Sequence, residues 1–327
     1  MAEPDVTVVV VPRERFSVAR RALECLLSET TYPFRLVYID GASPRSVKRY
    51  LEAEARRIGF RLLRSEHHLS PTEARNLGVR EAAGTRYVVF IDNDVLVRAG
   101  WLEALVGCAN ETDAWLVGPL YCFGDPPFST IHMAGGTAHI EVRDGGRYMS
   151  ERHHWPGEHL GEMRPRLVRT RTELIEFHCM LVRTEVFGRL GPLDEGLLSD
   201  FEHIDFCMKV REAGGFVYLD PQAVVNWITP PPLAWSDLRY FMLRWSDAWN
   251  RASLRHFREK WQMTEQDPNN HYAFVTEYRK LTLRPLRRVV HGLLGWRRGT
   301  WVERTILFPL EEKLNRVLVP DRLAIRR

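Results

Sequence analysis

Apolar and polar positions in the first half of the chain alternate between two textures, unbroken β-branched runs and stripes at helical spacing. Val6–Val11 is such a run, the pattern of a strand buried on both faces of a parallel sheet. Ser17 then stands as an N-cap before Val18, Ala22, Cys25 and Leu26, which repeat at helical intervals. A second strand over 36–39 ends in the turn-forming Asp40-Gly41-Ala42-Ser43, and a helix over about 44–57 and a strand over 60–63 follow. Ser70-Pro71-Thr72-Glu73 combines an N-cap serine, a proline at the first helical position and a glutamate three residues on, which is a capping box. It predicts a helix to about residue 83 with Gly84 as its stop. The strand over 87–91 delivers Asp92-Asn93-Asp94 at its carboxyl end, the edge where open α/β sheets bind ligands.

Between 121 and 165 periodicity fades into Gly, Pro, His and aromatic residues, which predicts a long functional loop with a hairpin near Asp144-Gly145-Gly146. A strand over 177–182, a polar turn at 191–195, a helix over about 201–213, Gly214-Gly215 and a strand over 216–219 restore order. Thr229-Pro230-Pro231-Pro232 closes this portion, because three prolines continue neither a helix nor a central strand. The rest, rich in Arg, Trp and Leu, reads as helical. The expected organisation is an α/β domain over 1–228 and a basic helical extension over 229–327.

Composition narrows the class. Apolar residues at 45% and charged residues at 27% are those of a folded globular chain, and no apolar run reaches the length of a membrane span. The start, MAEPDV, lacks the basic and apolar regions of a secretory signal. Five widely spaced cysteines without a CxxC pair point to free thiols in a reducing, cytoplasmic setting. The net charge of +4 conceals an asymmetry: residues 279–327 hold 13 Lys/Arg against 4 Asp/Glu. Such a tail suits an anionic membrane surface, and residues 281–298, where arginines alternate with Leu, Val and Trp, have the character of an interfacial segment. Pro285 fits the first turn of a helix beginning near Arg284. The competing reading is a helix packed on the α/β body or on a second copy.

Two constellations carry chemistry. Asp92 and Asp94 in a turn after a buried strand can present oxygens to a hard divalent ion such as Mg²⁺ or Mn²⁺. Asp40 should reach the same sheet edge, and Arg75, near the start of the intervening helix, is placed to pair with phosphate oxygens. The second constellation is Asp194-Glu195 followed by Asp200-Phe201-Glu202-His203-Ile204-Asp205. Glu202 and Asp205 share a helix face with His203 beside them, which suits a general base; the competing reading is helix capping with Asp200 as N-cap. His132, His139, His153, His154 and His159 lack metal-ligand spacing and read as acceptor contacts or loop surface. Dinucleotide, P-loop, hydrolase-elbow and zincin motifs are absent.

Taken in order, VTVVVVPRERF, RLVYIDGAS, ARNLGVREAAGTRYVVFIDNDV, HMAGG, MLVRTEVFGRLGPLDEGLL, FEHIDFCMKVREAGG and VYLDPQAVVNW resemble a family 2 glycosyltransferase of the GT-A fold, over about residues 5–228. The resemblance implies a nucleotide-diphosphate sugar donor (UDP-, GDP- or dTDP-linked), a glycan or lipid-linked acceptor, and transfer with inversion assisted by Mg²⁺ or Mn²⁺. By position it implies that the Pro12 backbone and Asp40 meet the nucleobase, that Arg75 lies by the diphosphate, that Asp92 with Asn93 approaches the ribose, and that Asp94 with Asp92 holds the metal. His178, Asp194 and Trp227 would border the sugar or acceptor. Nucleic acid is not an expected partner, and a homodimer is left open. The chain departs from the pattern twice: His203 stands where an aspartate base is usual, so His203, Glu202 and Asp205 form an unresolved trio, and Trp227 stands where many relatives carry a metal-binding histidine. These departures define the alternative, a catalytically silent nucleotide-sugar or glycan-binding module.

Overall fold

Strands Val6–Val11 (β1) and Tyr87–Asp92 (β4) pair in parallel at the centre of the molecule, and every residue in them is buried. The computed structural model describes residues 4–124, 126–229, 233–264 and 271–319. Outward from β1 lie Arg35–Gly41 (β2) and Arg61–Ser65 (β3), also parallel. Beyond β4 the sheet becomes mixed. Cys179–Arg183 (β11) runs antiparallel to β4 and to Leu116–Phe123 (β6); Val217–Trp227 (β12) runs parallel to β6, and Thr170–Arg171 (β10) closes that edge. Val95–Val97 (β5) pairs with β12, and Thr130–Met133 (β7) with β6. A separate hairpin joins Gly136–Arg143 (β8) to Gly146–His153 (β9).

The capping box forms as expected: Ser70 Oγ accepts from the Glu73 N–H at 3.2 Å, and the Ser70 N–H donates to Glu73 Oε2 at 2.8 Å. Such a cap stabilises the helix Pro71–Glu81 by about 1 kcal/mol. The helix lies hard against the sheet at Gly78, where an added Cβ would stand 2.2 Å from Val9 Cγ1. Ser17 does not cap. The helix Ala19–Glu29 begins without a side-chain cap, because Ser17 and the Phe16 N–H turn to Asp237, with Asp237 Oδ1 accepting at 2.9 Å from Phe16 and 3.0 Å from Ser17. The 121–165 region is more regular than its sequence suggests; its hairpin turns at Asp144-Gly145 as expected, flanked by β7 and a short helix, Leu160–Met163. The strand expected over 216–219 continues to Trp227 through an irregularity between Asp220 and Val224. Of the proline boundary, residues 230–232 lie outside the described residues.

The C-terminal helices pack closely on the α/β portion. Tyr240 Oη donates to the Leu69 carbonyl at 3.1 Å, Trp245 Nε1 to Glu14 at 3.1 Å, and Tyr278 Oη to Glu14 at 3.1 Å. Arg279, the first residue of the basic segment, is not surface but fully buried, paired at 2.6 Å with both Asp247 and Glu311. The helix Arg284–Val302 begins where Pro285 predicts and breaks at Gly295 (φ 71°). The five cysteines are free, four of them buried.

Candidate active site

The parallel register puts Asp40, Asp92 and Asp94 at one edge, since Val11 pairs with Asp92 and Val10 with Tyr38. A cleft of about 360 Å³ opens there, bounded by Arg13, His132, His153, Glu176, His178, Glu202, His203, Trp227, Trp245, His271 and Tyr278.

Asp92 is saturated. Its Oδ1 accepts from Arg75 Nη2 at 2.9 Å, while Arg13 Nη1 and His178 Nδ1 each stand 3.3 Å from Oδ2. Burial disfavours its charge, but Arg75, His178 and Arg13 outweigh burial and hold the carboxyl below the ordinary range. Asn93 is a structural clasp, its Oδ1 accepting from the Arg13 N–H at 3.2 Å and its Nδ2 donating to the Arg15 carbonyl at 2.8 Å. Asp94 is different. It is fully buried; Trp227 Nε1 donates to its Oδ2 at 3.2 Å, Arg15 Nε stands 3.6 Å away, and its Oδ1 has no hydrogen-bond partner among the described residues. Burial, reinforced by Glu14 and Asp92, raises its pKa despite Arg15 and Arg13. An ionised Asp94 is therefore only partly matched by Arg15, and a divalent cation would supply further positive charge. Asp92, Asp94 and His178 bring ligand atoms within 4.8 Å of one another, so this donor set fits such an ion.

Arg75 reaches the cluster because the capped helix turns its first inward face to the sheet. It is fully buried, bridging Asp92 to Glu202 (Nη1 to Oε1, 3.1 Å) with its guanidinium 4.2 Å above the Phe177 ring. Its two terminal nitrogens are thus engaged with carboxylates. Arg15 and Arg244, which the sequence did not mark, are buried with N–H groups that find no hydrogen-bond acceptor among the described residues: Nε and Nη2 of Arg15, of which Nε is ion-paired with Asp94, and Nε and Nη1 of Arg244. Buried guanidinium donors without acceptors are costly, and they suit an anionic ligand.

The second constellation divides. Glu202 is buried, with Oε1 on Arg75 and Oε2 unpartnered; His203, half-buried, lines the cleft, and ligand atoms of Asp200, Glu202 and His203 fall within 4.8 Å. Asp205 faces the other way, bound by Trp261 Nε1 at 2.9 Å and Lys260 Nζ at 2.8 Å. Asp194 is likewise held by Lys260 at 2.6 Å and His256 at 2.9 Å, outside the cleft. Burial would raise its pKa, but those hydrogen bonds hold it at about 2. Asp200 does not cap the helix Glu202–Glu212 by its side chain; it accepts from the Phe201 N–H at 2.9 Å, and Phe201 sits in the left-handed region (φ 68°). A buried aromatic in that conformation is strained, a feature concentrated at functional sites.

Asp40 is buried and fully occupied, its carboxylate accepting from the Ser43 N–H at 2.8 Å, from Ser43 Oγ at 3.0 Å and from Arg64. The Pro12 carbonyl accepts from Tyr240 Oη at 3.3 Å, and Tyr240 stacks with Phe16. Trp227 packs against His178, with ring centroids 5.5 Å apart.

The largest surprise is among the histidines. His132 and His153, from β7 and β9, converge with His178 on Glu176, where His132 Nε2 lies 3.1 Å from the carboxylate. Burial opposes charge on Glu176, yet His132, His178 and His153 keep it well below the usual carboxylate range. The available signal was Glu176 two residues from His178 at the entry to a strand; the two side chains meet across the turn at 177–178 that leads into β11.

The glycosyl transferase family 2 model matches residues 7–191, more than half of the chain. A pre-mycofactocin glycosyltransferase of Mycobacterium tuberculosis is 26% identical over 221 residues, 68% of this chain and 42% of that protein. An uncharacterised protein of Sinorhizobium fredii is 28% identical over 218 residues, 64% of this chain and 23% of that protein. The chain thus spans less than half the length of these relatives. Among solved structures, that of GalNAc-T7 with UDP, GalNAc and Mn²⁺ superposes with a TM-score of 0.53 at 18% identity, covering 83% of this chain and 55% of that one. The mixed sheet with its flanking helices is the GT-A fold expected from the motifs. With the model matched across the region that builds β1, β4 and β11, the chain belongs to glycosyl transferase family 2.

Proposed function

We propose that the protein is a glycosyltransferase that moves a sugar from a nucleotide-diphosphate donor to an acceptor hydroxyl with inversion. The observation that carries this reading is the open Oδ1 of buried Asp94, together with buried arginines whose N–H groups find no hydrogen-bond acceptor among the described residues. Asp94 with Asp92 would hold Mg²⁺ or Mn²⁺; when bound, the ion neutralises charge that develops on the departing diphosphate. Arg15 and Arg244 are the phosphate-facing guanidiniums. Arg75 acts through others: it fixes Asp92 and Glu202 in register. Glu202 and His203 line the cleft, and Glu202 Oε2 has no competing hydrogen bond, which suits proton removal from the acceptor. The nucleobase would lie at the Pro12 end of β1, beside Asp40, whose carboxylate shapes the turn through Ser43 and Arg64 and is already engaged there.

The test titrates UDP, GDP and dTDP into the protein with and without Mn²⁺, followed by thermal shift. One of them should bind with metal dependence, and Asp94→Asn should abolish that dependence. Unchanged affinity and metal response would reject the reading. Turnover of the matching nucleotide sugar above background distinguishes an enzyme from a silent binding module.

The acceptor side of the proposal is a lipid-linked glycan presented at an anionic membrane. No helix among the described residues is long and apolar enough to cross a membrane. The C-terminal helices instead expose Leu293 (79%), Trp296 (79%) and Val317 (69%) among arginines, the composition of an interfacial surface. Co-sedimentation with phosphatidylglycerol vesicles should fall when Leu293 and Trp296 are both replaced by Glu. Equal sedimentation, or a dimer that the same replacements dissociate, would overturn it in favour of a self-association face.

A further inference from the structure

We propose that His132, Glu176 and His178, with His153 as a fourth ligand, form a second divalent-metal site, selective for a borderline ion such as Zn²⁺ and separate from the Asp92-Asn93-Asp94 turn. The site is assembled from three segments distant in sequence: β7, the end of β9 and the stretch entering β11. Its proportions are those of coordination. Ligands 2.0–2.1 Å from a tetrahedral Zn²⁺ stand about 3.3 Å from one another. His132 Nε2 and His178 Nε2 stand 3.1 Å and 3.8 Å from Glu176 Oε2, and His153 Nε2 stands 3.8 Å from Oε1; His153 Nε2 also lies 3.3 Å from Glu151 Oε1, a contact it would give up on binding an ion. Hydrogen bonding accounts for one of the three contacts to Glu176 at most, because 3.8 Å exceeds its range. Ligand atoms of His132, Glu176 and His178 all fall within 4.8 Å of one another.

A second feature points the same way. A metal-bound histidine characteristically gives its other ring N–H to a carboxylate, which fixes the ring and strengthens the ligand. His178 approaches that arrangement: it is buried, Nε2 faces Glu176, and Nδ1 stands 3.3 Å from Asp92 Oδ2, an ion-pair contact that falls outside hydrogen-bond geometry. Glu176 Oε2 is buried and, although His132 Nε2 stands 3.1 Å away, it is in hydrogen-bond geometry with none of the described residues. Imidazole nitrogens with one carboxylate favour Zn²⁺ over Mg²⁺, whereas the two carboxylates of the Asp92-Asn93-Asp94 turn have the opposite preference; His178 stands beside both sets. His178 would therefore couple the two sites through Asp92.

The experiment uses tag-free full-length protein stripped with a chelator. Zn²⁺ is titrated in competition with a chromophoric chelator, and Co²⁺ is followed by its visible absorption, both without nucleotide. One equivalent should bind tightly, with the intense Co²⁺ bands of a four-coordinate site. His132→Ala and, independently, Glu176→Gln should each weaken it at least ~100-fold, more than the loss of an outer-shell partner does, with the far-ultraviolet circular dichroism unchanged in at least one of them. Asp94→Asn should bind Zn²⁺ as the parent does, which separates this inference from the proposed donor site. No stoichiometric binding, binding insensitive to both ligand variants, or binding lost in Asp94→Asn would each overturn it.

Discussion

The chain carries two acidic pairs at its candidate site, Asp92 with Asp94 and Glu202 with Asp205, and within each pair the two carboxylates have opposite surroundings. Asp92 is spent on Arg75, Arg13 and His178, whereas Asp94 keeps an oxygen open. Glu202 keeps an oxygen open, whereas Asp205 is spent on Lys260 and Trp261. Spacing in sequence treats the members of a pair alike. What separates them is which lone pairs the rest of the fold has already engaged, and the unengaged buried carboxylate is the one that meets a cation or a proton without first giving up a partner.

The comparison breaks most visibly at Asp94. Asp94→Asn should lower metal-dependent sugar transfer about a thousandfold, since cation stabilisation of the leaving group is worth several kcal/mol. Because Asp94 is buried and its charge incompletely matched, the same variant should melt at or slightly above the parent temperature; a large drop in Tm would mean that Asp94 is structural. Glu202→Gln preserves shape and should cut kcat about a hundredfold while leaving donor affinity within a few-fold. If His203→Asn produces that loss and Glu202→Gln does not, the base is the imidazole.

Asp205→Ala sharpens the contrast from the other side. It strands the Trp261 N–H and loosens Lys260, so stability should fall by about 1–3 kcal/mol while activity per folded molecule stays near the parent value. The smallest effect concerns Asp194, whose pKa of about 2 lies below the ordinary value near ~4. A depressed carboxyl contributes stability above its unfolded pKa and loses it as acid takes the pH from about 4 towards 2. The gap in urea midpoint between parent and Asp194→Asn should be present at pH 6 and close below pH 3. Partial exposure keeps that gap small.

Much of the frame was legible because it is local. A β-branched run, a capping box and a proline at residue 285 report their own elements, and Asp92-Asn93-Asp94 follows its strand directly. What escaped was set by distance in the chain. Ser17 satisfies the criteria for an N-cap, but a carboxylate 220 residues away takes its hydrogen bonds. Arg75 stands where a phosphate ligand is expected, yet Glu202, 127 residues on, completes its pairing. The His132, His153 and Glu176 convergence has no periodicity to announce it, since each side chain arrives on a different strand or segment. Arg279 was counted with an exposed basic surface and instead forms a buried ion triad with Asp247 and Glu311.

The clamp on the loop after β1 has a consequence for how the molecule comes into being. Asn93 holds the backbone at Arg13 and Arg15, but Phe16 and Ser17 are anchored by Asp237, and Glu14 by Trp245 and Tyr278, so the segment is completed by chain synthesised more than two hundred residues later. A nascent polypeptide can assemble its central strands on the ribosome and still lack a competent pocket until the last helices emerge. Premature termination after the α/β portion would then leave a product whose loop after β1 lacks these anchors.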